Sequence, residues 1–436
     1  MIPHDLAKKS VEFSRLAAND EEYAEFMRIR HNRMKYYKGD TEKLTRGWFS
    51  KNLLKNVPIA NINIFKRIID RTSEVYMVEA LREAGSESQT EKYKSMIPRK
   101  HERMQRIEKM TNALDVVCVH PYYDHNNKVL DHMILLEFQP FFDMNGNMVG
   151  IRYPLMQSAN TSAIDEQSFV EWGLEGWRIV DSEGRAQQKQ AYNGVFPFKL
   201  AWADEPEYFY DHLPTPDLAQ GNLCINFYRT NLNANNAYQA HGQPFITGLN
   251  SSDDFQWGID KIPALPEGAT AQILSPPSTA QDTIAVEKSI YKLIARNYHL
   301  PEDFVEGSAQ AESGVAIKLR NQELQNERIG DIIRWRNFEH EIYKIERDIL
   351  SKAGVSVSEE FAVDFSETTE YLSEDEQRAK DDWDLEHNLT TIVDIAMREN
   401  PDLTREDAEA LIEANKEANA TKGETGLADI LGTPPE

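Results

Sequence analysis

The chain has 436 residues, 40% of them hydrophobic, and a formal net charge of -24 with a pI near 5.0. That length can bury a sizeable core and predicts two or three structural units rather than one. The charge excludes the overall basic footprint of a free-standing DNA binder, though not a surface past which DNA slides without sticking. Charge is unevenly placed: residues 1–110 hold 23 Lys/Arg against 16 Asp/Glu, a net of +7, and residues 351–436 hold 7 against 23, a net of -16. The two ends should face different surroundings. Cys118 and Cys224 sit among apolar neighbours and are expected as buried, reduced thiols. Met1 to Ser10 lacks an apolar signal core and no stretch approaches ~20 apolar residues, so a soluble protein made in the cytoplasm is expected.

Residues 1–110 read as helical. Over 59–81, Ile62, Phe65, Ile69, Thr72 and Tyr76 recur at steps of three and four and predict one helix with an apolar face. Residues 83–110 are charged, with Met104, Ile107 and Met110 as a thin stripe, and predict a surface helix. The pattern changes at Leu114. Val116-Val117-Cys118-Val119 and Met133 to Phe142 are β-prone, and Asn145-Gly146 supplies two positive φ angles for a tight hairpin. Further strands are expected at Gly150–Met156, Val170–Val180 and Gly194–Trp202, with Trp172, Trp177, Phe196 and Phe198 on a sheet face. Residues 114–202 therefore predict a mostly antiparallel sheet unit.

Asp217 can cap a helix over 217–240. Asn222, Asn226, Asn231, Asn233, Asn235 and Asn236 lower its intrinsic propensity, so its neighbours must hold it. Residues 242–280 are Gly/Pro-rich, with short strand-like runs at Phe245-Ile246-Thr247 and Ala271-Gln272-Ile273-Leu274. A second helix is expected over 281–298, an irregular stretch over 299–313, and the longest helix over 315–352. Ile332, Trp335, Phe338, Ile342, Ile345 and Ile349 form the stripe of that last helix, and Gly354 stops it. A strand at 361–366 precedes acidic helices at about 373–387, 390–399 and 404–418. Ser373 with Glu376, and Thr404 with Asp407, match capping boxes. The last fifteen residues are expected to be a disordered tail.

The sequence holds little that signals catalysis. It has no Gly-x-x-x-x-Gly-Lys-Ser/Thr loop, no Gly-x-Ser-x-Gly elbow, no Cys-x-x-Cys and no Gly-x-Gly-x-x-Gly. His101-Glu102 opens a zinc-helix pattern, but Gln105 stands where the second His is required. The enzyme alternative is a metal-dependent hydrolase using His120, His125 and His132, with Asp124 and Asp131 nearby. Ligands that flank a loop between strands read more simply as a polar connection. Asp381, Asp382 and Asp384 read as a hydrated helix face, so no catalytic residue, metal or cofactor is expected.

The order of elements resembles that of tailed-bacteriophage portal proteins, from about residue 45 to 420. Ser313-Gly314-Val315-Ala316-Ile317-Lys318 looks like the pattern that opens the long wing helix of that family. Pro214 to Gln243, Leu265 to Ala271 and residues 56–78 resemble its stem approach, clip segment and early helix. The resemblance implies an α+β portal fold with a helical and β wing (1–212), stem helices (213–241 and 281–298) and a small α/β clip (242–280). It further implies a tunnel loop (299–314), a long wing helix with a strand (315–370), α-helical crown elements (371–422) and a flexible tail (423–436). As function it implies a dodecameric, non-enzymatic ring at one capsid vertex of the virion. DNA would pass through its channel in packaging and ejection, and the partners would be terminase, capsid or scaffold protein, and a neck or tail adaptor. Glu302, Asp303, Glu306, Gly307, Ser308, Gln310, Glu312, Ser313, Gly314 and Lys318 would then belong to the tunnel loop and DNA channel. Asp253, Asp254, Trp257, Lys261 and Glu267 would belong to the clip that docks terminase or adaptor. A ring-forming virion adaptor without the inserted clip is the other assembly reading.

Overall fold

The computed structural model describes residues 21–50, 57–155, 168–180, 185–206, 209–210, 217–239, 243–247, 270–274, 280–301, 322–365, 374–400 and 403–416. The fold is α+β, as expected, and divides into two compact units: residues 1–309 with 321–367, and residues 310–320 with 368–436.

The first unit opens with α1 (Glu21–Lys38), α2 (Glu42–Arg46) and α3 (Ile64–Thr72). The single helix expected over 59–81 is therefore much shorter. Ile62 belongs to an extended segment ahead of α3, and Asn63 caps α3 by accepting the Lys66 N–H at 2.9 Å. Residues 81–83 form strand β1 (Leu81–Glu83), which pairs antiparallel with β12 (Ala362–Asp364). The helix expected over 83–110 is two: α4 (Glu87–Met96) and α5 (Lys100–Leu114), separated where Pro98 disfavours helical geometry at Ile97.

The strand region holds two sheets. Strand β2 (Val116–Asp124) lies between β3 (Val129–Leu135) and β9 (Lys199–Trp202). Its continuous apolar run is explained by burial on both faces. Val117 and Val119 face a core shared with α5 and α8 (Gln322–Lys352), whereas Val116 and Cys118 face Phe26, Phe138, Ile151 and Phe198. The second sheet is an antiparallel meander of β4 (Gln139–Phe142), β5 (Met148–Pro154), β6 (Phe169–Gly173), β7 (Gly176–Val180) and β8 (Ala186–Ala191). Trp172 packs against Phe198 and Trp177 on a sheet face, as expected. Between β4 and β5 only Gly146 has positive φ (80°), not Asn145. The connection runs five residues, and the Asp143 carboxylate accepts the N–H groups of Asn145 and Asn147. Cys118 is buried, but Cys224 is only half-buried.

Long helices complete this unit: α6 (Asp217–Gln239), α7 (Ala280–Asn297) and α8, with β10 (Gln243–Thr247) and β11 (Thr270–Leu274) between the first two. The expected stripe on α8 holds: Trp335, Phe338, Ile342 and Ile345 are buried, and Ile332 and Ile349 pack at its margin. Gly354 (φ 81°) ends the helix, with Val355 N–H bonded to Leu350 C=O. The second unit is helical: α9 (Glu374–Glu386), α10 (Ile392–Glu399) and a further helix over 405–416. Thr404 and Asp407 bond as a capping pair, and Thr391 with Asp394 forms a full capping box that the sequence reading did not identify.

Candidate functional site

Helices α6 and α7 run antiparallel. Gly221 of α6 lies against Ile294 of α7, close enough that a Cβ there would come within 2.5 Å of Ile294 Cδ1. Two turns further along α6, Arg229 donates to the buried Glu287 of α7 at 2.6 Å, and Tyr291 O–H donates to the same oxygen at 3.2 Å. Burial together with the Glu287 charge pushes the Tyr291 phenol up to about 12. Beyond the far ends of this pair, β10 and β11 form a five-residue antiparallel ladder from Gln243↔Leu274 to Thr247↔Thr270. The Thr247 and Thr270 hydroxyls lie 2.7 Å apart. The helix pair therefore continues into a strand pair, and the inserted segment leaves and re-enters at neighbouring positions.

The Asn-rich composition of α6 has a specific use. Asn222 Oδ1 accepts the N–H groups of Ile64 (2.8 Å) and Phe65 (3.0 Å), and its Nδ2 donates to Ile62 C=O. Asn226 Oδ1 accepts Ile62 N–H at 2.7 Å, Thr230 Oγ1 accepts Ala60 N–H at 3.0 Å, and Asn233 donates to Pro58 C=O. Asn222, Asn226, Thr230 and Asn233 stand at successive turns of one helix face. They bind the 58–63 backbone much as a neighbouring strand would, and Asn222 also takes the first two N–H groups of α3.

At its other end α7 stops in a Schellman arrangement. His299 adopts φ 54°, Leu300 N–H reaches Ala295 C=O at 2.9 Å, and buried Leu300 packs back on the core. The tunnel-loop residues assigned by resemblance, Glu302, Asp303, Glu306, Gly307, Ser308, Gln310, Glu312, Ser313, Gly314 and Lys318, lie outside the described residues. So do the clip residues Asp253, Asp254, Trp257, Lys261 and Glu267, as well as Ser373 and the C-terminal tail.

The metal alternative is not supported by the geometry. His120 and His132 sit on opposite faces of the β2–β3 ladder, because the partner of His132 is Pro121. His120 packs against Phe198 (4.3 Å) and Trp172 (5.4 Å), and burial brings its imidazole down to about 4. His125 lies against the Tyr123 ring. Asp124 caps the turn by accepting Asn126 and Asn127 N–H, and Asp131 takes a bidentate pair from Arg103 at 2.7 Å. His132 donates from Nε2 to Glu346 at 2.5 Å. Each candidate ligand is used elsewhere, and no group of three metal-binding side chains occurs among the described residues.

Sequence reasoning missed the cluster that takes up His132. Glu339 and Glu346 of α8 are fully buried. Glu339 accepts from Arg82 (2.5 Å) and Tyr76 (3.1 Å), and Glu346 accepts from Lys100 (2.5 Å), His132 and Tyr93 (2.6 Å). Lys100 also lies 3.4 Å from Glu339, so one ammonium bridges two carboxylates. Burial works to raise the Glu346 carboxyl, but Lys100 and His132 bring it down to about 2. Burial lowers His132 below the usual imidazole range, partly offset by Glu346. With His132 neutral the cluster holds two negative and two positive charges, which suits a fastening rather than a reacting centre. The signal was present in the sequence: Trp335, Glu339, Ile342 and Glu346 share one face at steps of four, three and four.

A cavity of about 390 Å³ lies beside the end of α7, lined by Arg33, Glu74, Asp115, Asp331 and Arg334 among others. Burial raises the Asp331 carboxyl, but Arg334 pairs with it at 2.9 Å, as Arg33 does with Asp115 at 3.0 Å. No helix among the described residues is long and apolar enough to cross a membrane.

No protein-family model matches this chain, and no curated protein matches it. Among solved structures, it is similar to a chain of a structure described as "Neck of empty GTA particle computed with C6 symmetry", with a TM-score of 0.43 and 11% identity over 78% of this chain and 97% of that one.

Proposed function

We propose that this chain is a subunit of a phage portal. In that reading it forms a ring, expected to be dodecameric, at one capsid vertex of the virion, and the ring is the channel for DNA packaging and ejection. The observation that carries the proposal is the antiparallel α6–α7 pair, which continues into the β10–β11 ladder and is followed in sequence by the long α8. A stem that holds a clip away from the body needs such an arrangement: two helices braced against each other, with the insert confined to one end. Unit 1 gives the stem a firm base, because α6 is bonded to the 58–65 backbone and α8 to four other elements. The partners in this reading are double-stranded DNA with weak contacts, the terminase large subunit, capsid or scaffold protein, and a neck or tail adaptor. No cofactor or catalysis is invoked, and the energy for DNA movement would come from the terminase.

Negative-stain microscopy of the purified protein tests this directly. Wide-winged rings with an open centre are expected, and a protein that stays monomeric in the mature particle would sink the proposal. Within the ring, the acidic tunnel-loop residues are expected to keep DNA mobile by avoiding deep phosphate traps. Reversing Glu306 and Glu312 to Lys should therefore alter the length of DNA packaged, and unchanged packaging and ejection would count against that role.

A further inference from the structure

The second unit exposes apolar side chains that its own helices do not cover. Among its described residues Ala408 is the one fully buried hydrophobic, and α10 buries none. Trp383 is 52% exposed, Leu389 66%, Ile392 55% and Leu411 42%. The first three stand around one corner: Trp383 in the last turns of α9, Leu389 in the connection, and Ile392 at the start of α10. That corner is well tied. Arg398 makes a bidentate pair with Asp381, Leu389 N–H reaches Asp384 C=O at 2.8 Å, the capping box fixes the start of α10, and His387 stacks on Trp383 at 4.2 Å.

Around these apolar groups the surface is acidic. Residues 374–416 hold fourteen Asp/Glu against five Lys/Arg, a net of -9. Asp382, Glu386, Glu399, Glu406 and Glu409 are all exposed. A solvent-facing Trp, Leu and Ile within an acidic rim has the form of an interface, with apolar anchors at its centre and charge at its edge. The rim selects among occupants. Nucleic acid is repelled by it, and the same face of a second copy would set -9 against -9.

We infer that the α9–α10 corner is a docking face for a basic amphipathic segment of a partner protein, which seats apolar side chains on Trp383, Leu389 and Ile392 and Lys/Arg side chains on the surrounding carboxylates. The inference goes beyond the portal reading and does not depend on it.

The test uses the full chain and a fluorescein-labelled amphipathic Leu/Lys peptide of ~18 residues, followed by anisotropy. Two controls are a scrambled peptide of the same composition and a Leu/Glu counterpart. Expected are saturable binding of the Leu/Lys peptide, weakening with salt, and much poorer binding of both controls. The double variant Trp383→Ala with Ile392→Ala should weaken binding by about tenfold or more, and Trp383→Phe should restore most of it. All these positions are exposed, so an unchanged melting temperature is expected for the variants. Equal binding of the scrambled peptide, or wild-type affinity in the double variant, overturns the inference. So does sedimentation showing that the double variant dissolves an oligomer while peptide affinity is unchanged, because a second copy would then be the occupant. Ring images recorded on the same samples bear on the portal reading separately.

Discussion

Helices α6 and α8 are both fastened to the first unit by polar side chains buried from solvent, but by opposite chemistry. On α8 the fasteners are ionic: Glu339 and Glu346 against Arg82, Lys100 and neutral His132. On α6 they are neutral: Asn222, Asn226 and Thr230 against the backbone of residues 60–65. Amide-to-backbone bonds satisfy groups that carry no charge, so their strength depends little on pH or salt. The ionic cluster is stable only while its charges balance, because each ion has lost its water and removing one partner strands another. Glu108 of α5 is an intermediate case. Its carboxyl accepts Val75 and Tyr76 N–H as Asn222 accepts Ile64 and Phe65 N–H, but it can titrate.

The largest effect should come from unbalancing α8. Glu346→Ala removes the acceptor of Lys100, His132 and Tyr93 together and should cost about 3–5 kcal/mol in denaturant unfolding. A loss below about 1 kcal/mol would show that water or relaxation replaces the carboxylate. Asn222→Ala should cost about 2 kcal/mol by leaving two N–H groups and one C=O unpaired, and this loss should be nearly the same at low and high salt. A marked salt dependence would break the contrast between the two helices.

Glu108 sharpens the contrast through pH. Burial raises its carboxyl to about 7, from its ordinary value of about 4.5. A raised folded value means its contribution is fully present below about 4.5 and is lost as pH rises through 7, a change on the order of 3 kcal/mol. His120 and His132, held below 6.5, act the other way and cost stability as pH falls below 6.5. Glu108→Gln should therefore remove this slope, so that the wild-type-minus-variant difference in denaturant unfolding falls between pH 4.5 and 7, whereas Asn222→Ala should shift stability without changing its pH dependence. The smallest effect is expected from Gly221→Ala. The added methyl meets Ile294, and the overpacking should outweigh the gain in helix propensity by about 1 kcal/mol, with Ile294→Val restoring most of it.

What the sequence made legible follows from this chemistry. The bounds of α6 and α7 fall within one residue of expectation, because apolar spacing runs along both and the Gly/Pro-rich segment 242–280 separates them. The helix expected over 59–81 was too long because Ile62 keeps the helical spacing, although its backbone is already held by Asn226 and Asn222. Such a tertiary bond leaves no mark on the periodicity of the segment that receives it. The two glutamates of α8 were passed over because a carboxylate normally marks a solvated face. Their partners, Arg82, Lys100 and His132, are hundreds of residues away in sequence. The His120, His125 and His132 constellation failed for the converse reason: closeness in sequence does not set cross-strand register, which pairs His132 with Pro121 and so puts His120 on the other face, while His125 lies in the turn.

The sharing of Lys100 between Glu339 and Glu346 has a mechanical consequence. The two carboxylates lie seven residues apart, about 10 Å along the helix axis. Their partners come from β1, α4, α5 and β3, as well as from the turn before β1. Sliding α8 by one turn, or rotating it by one residue, would separate every one of these pairs at once. The helix is thus keyed like a shaft in its housing, and a push along its length should move the whole surrounding body rather than slip past it.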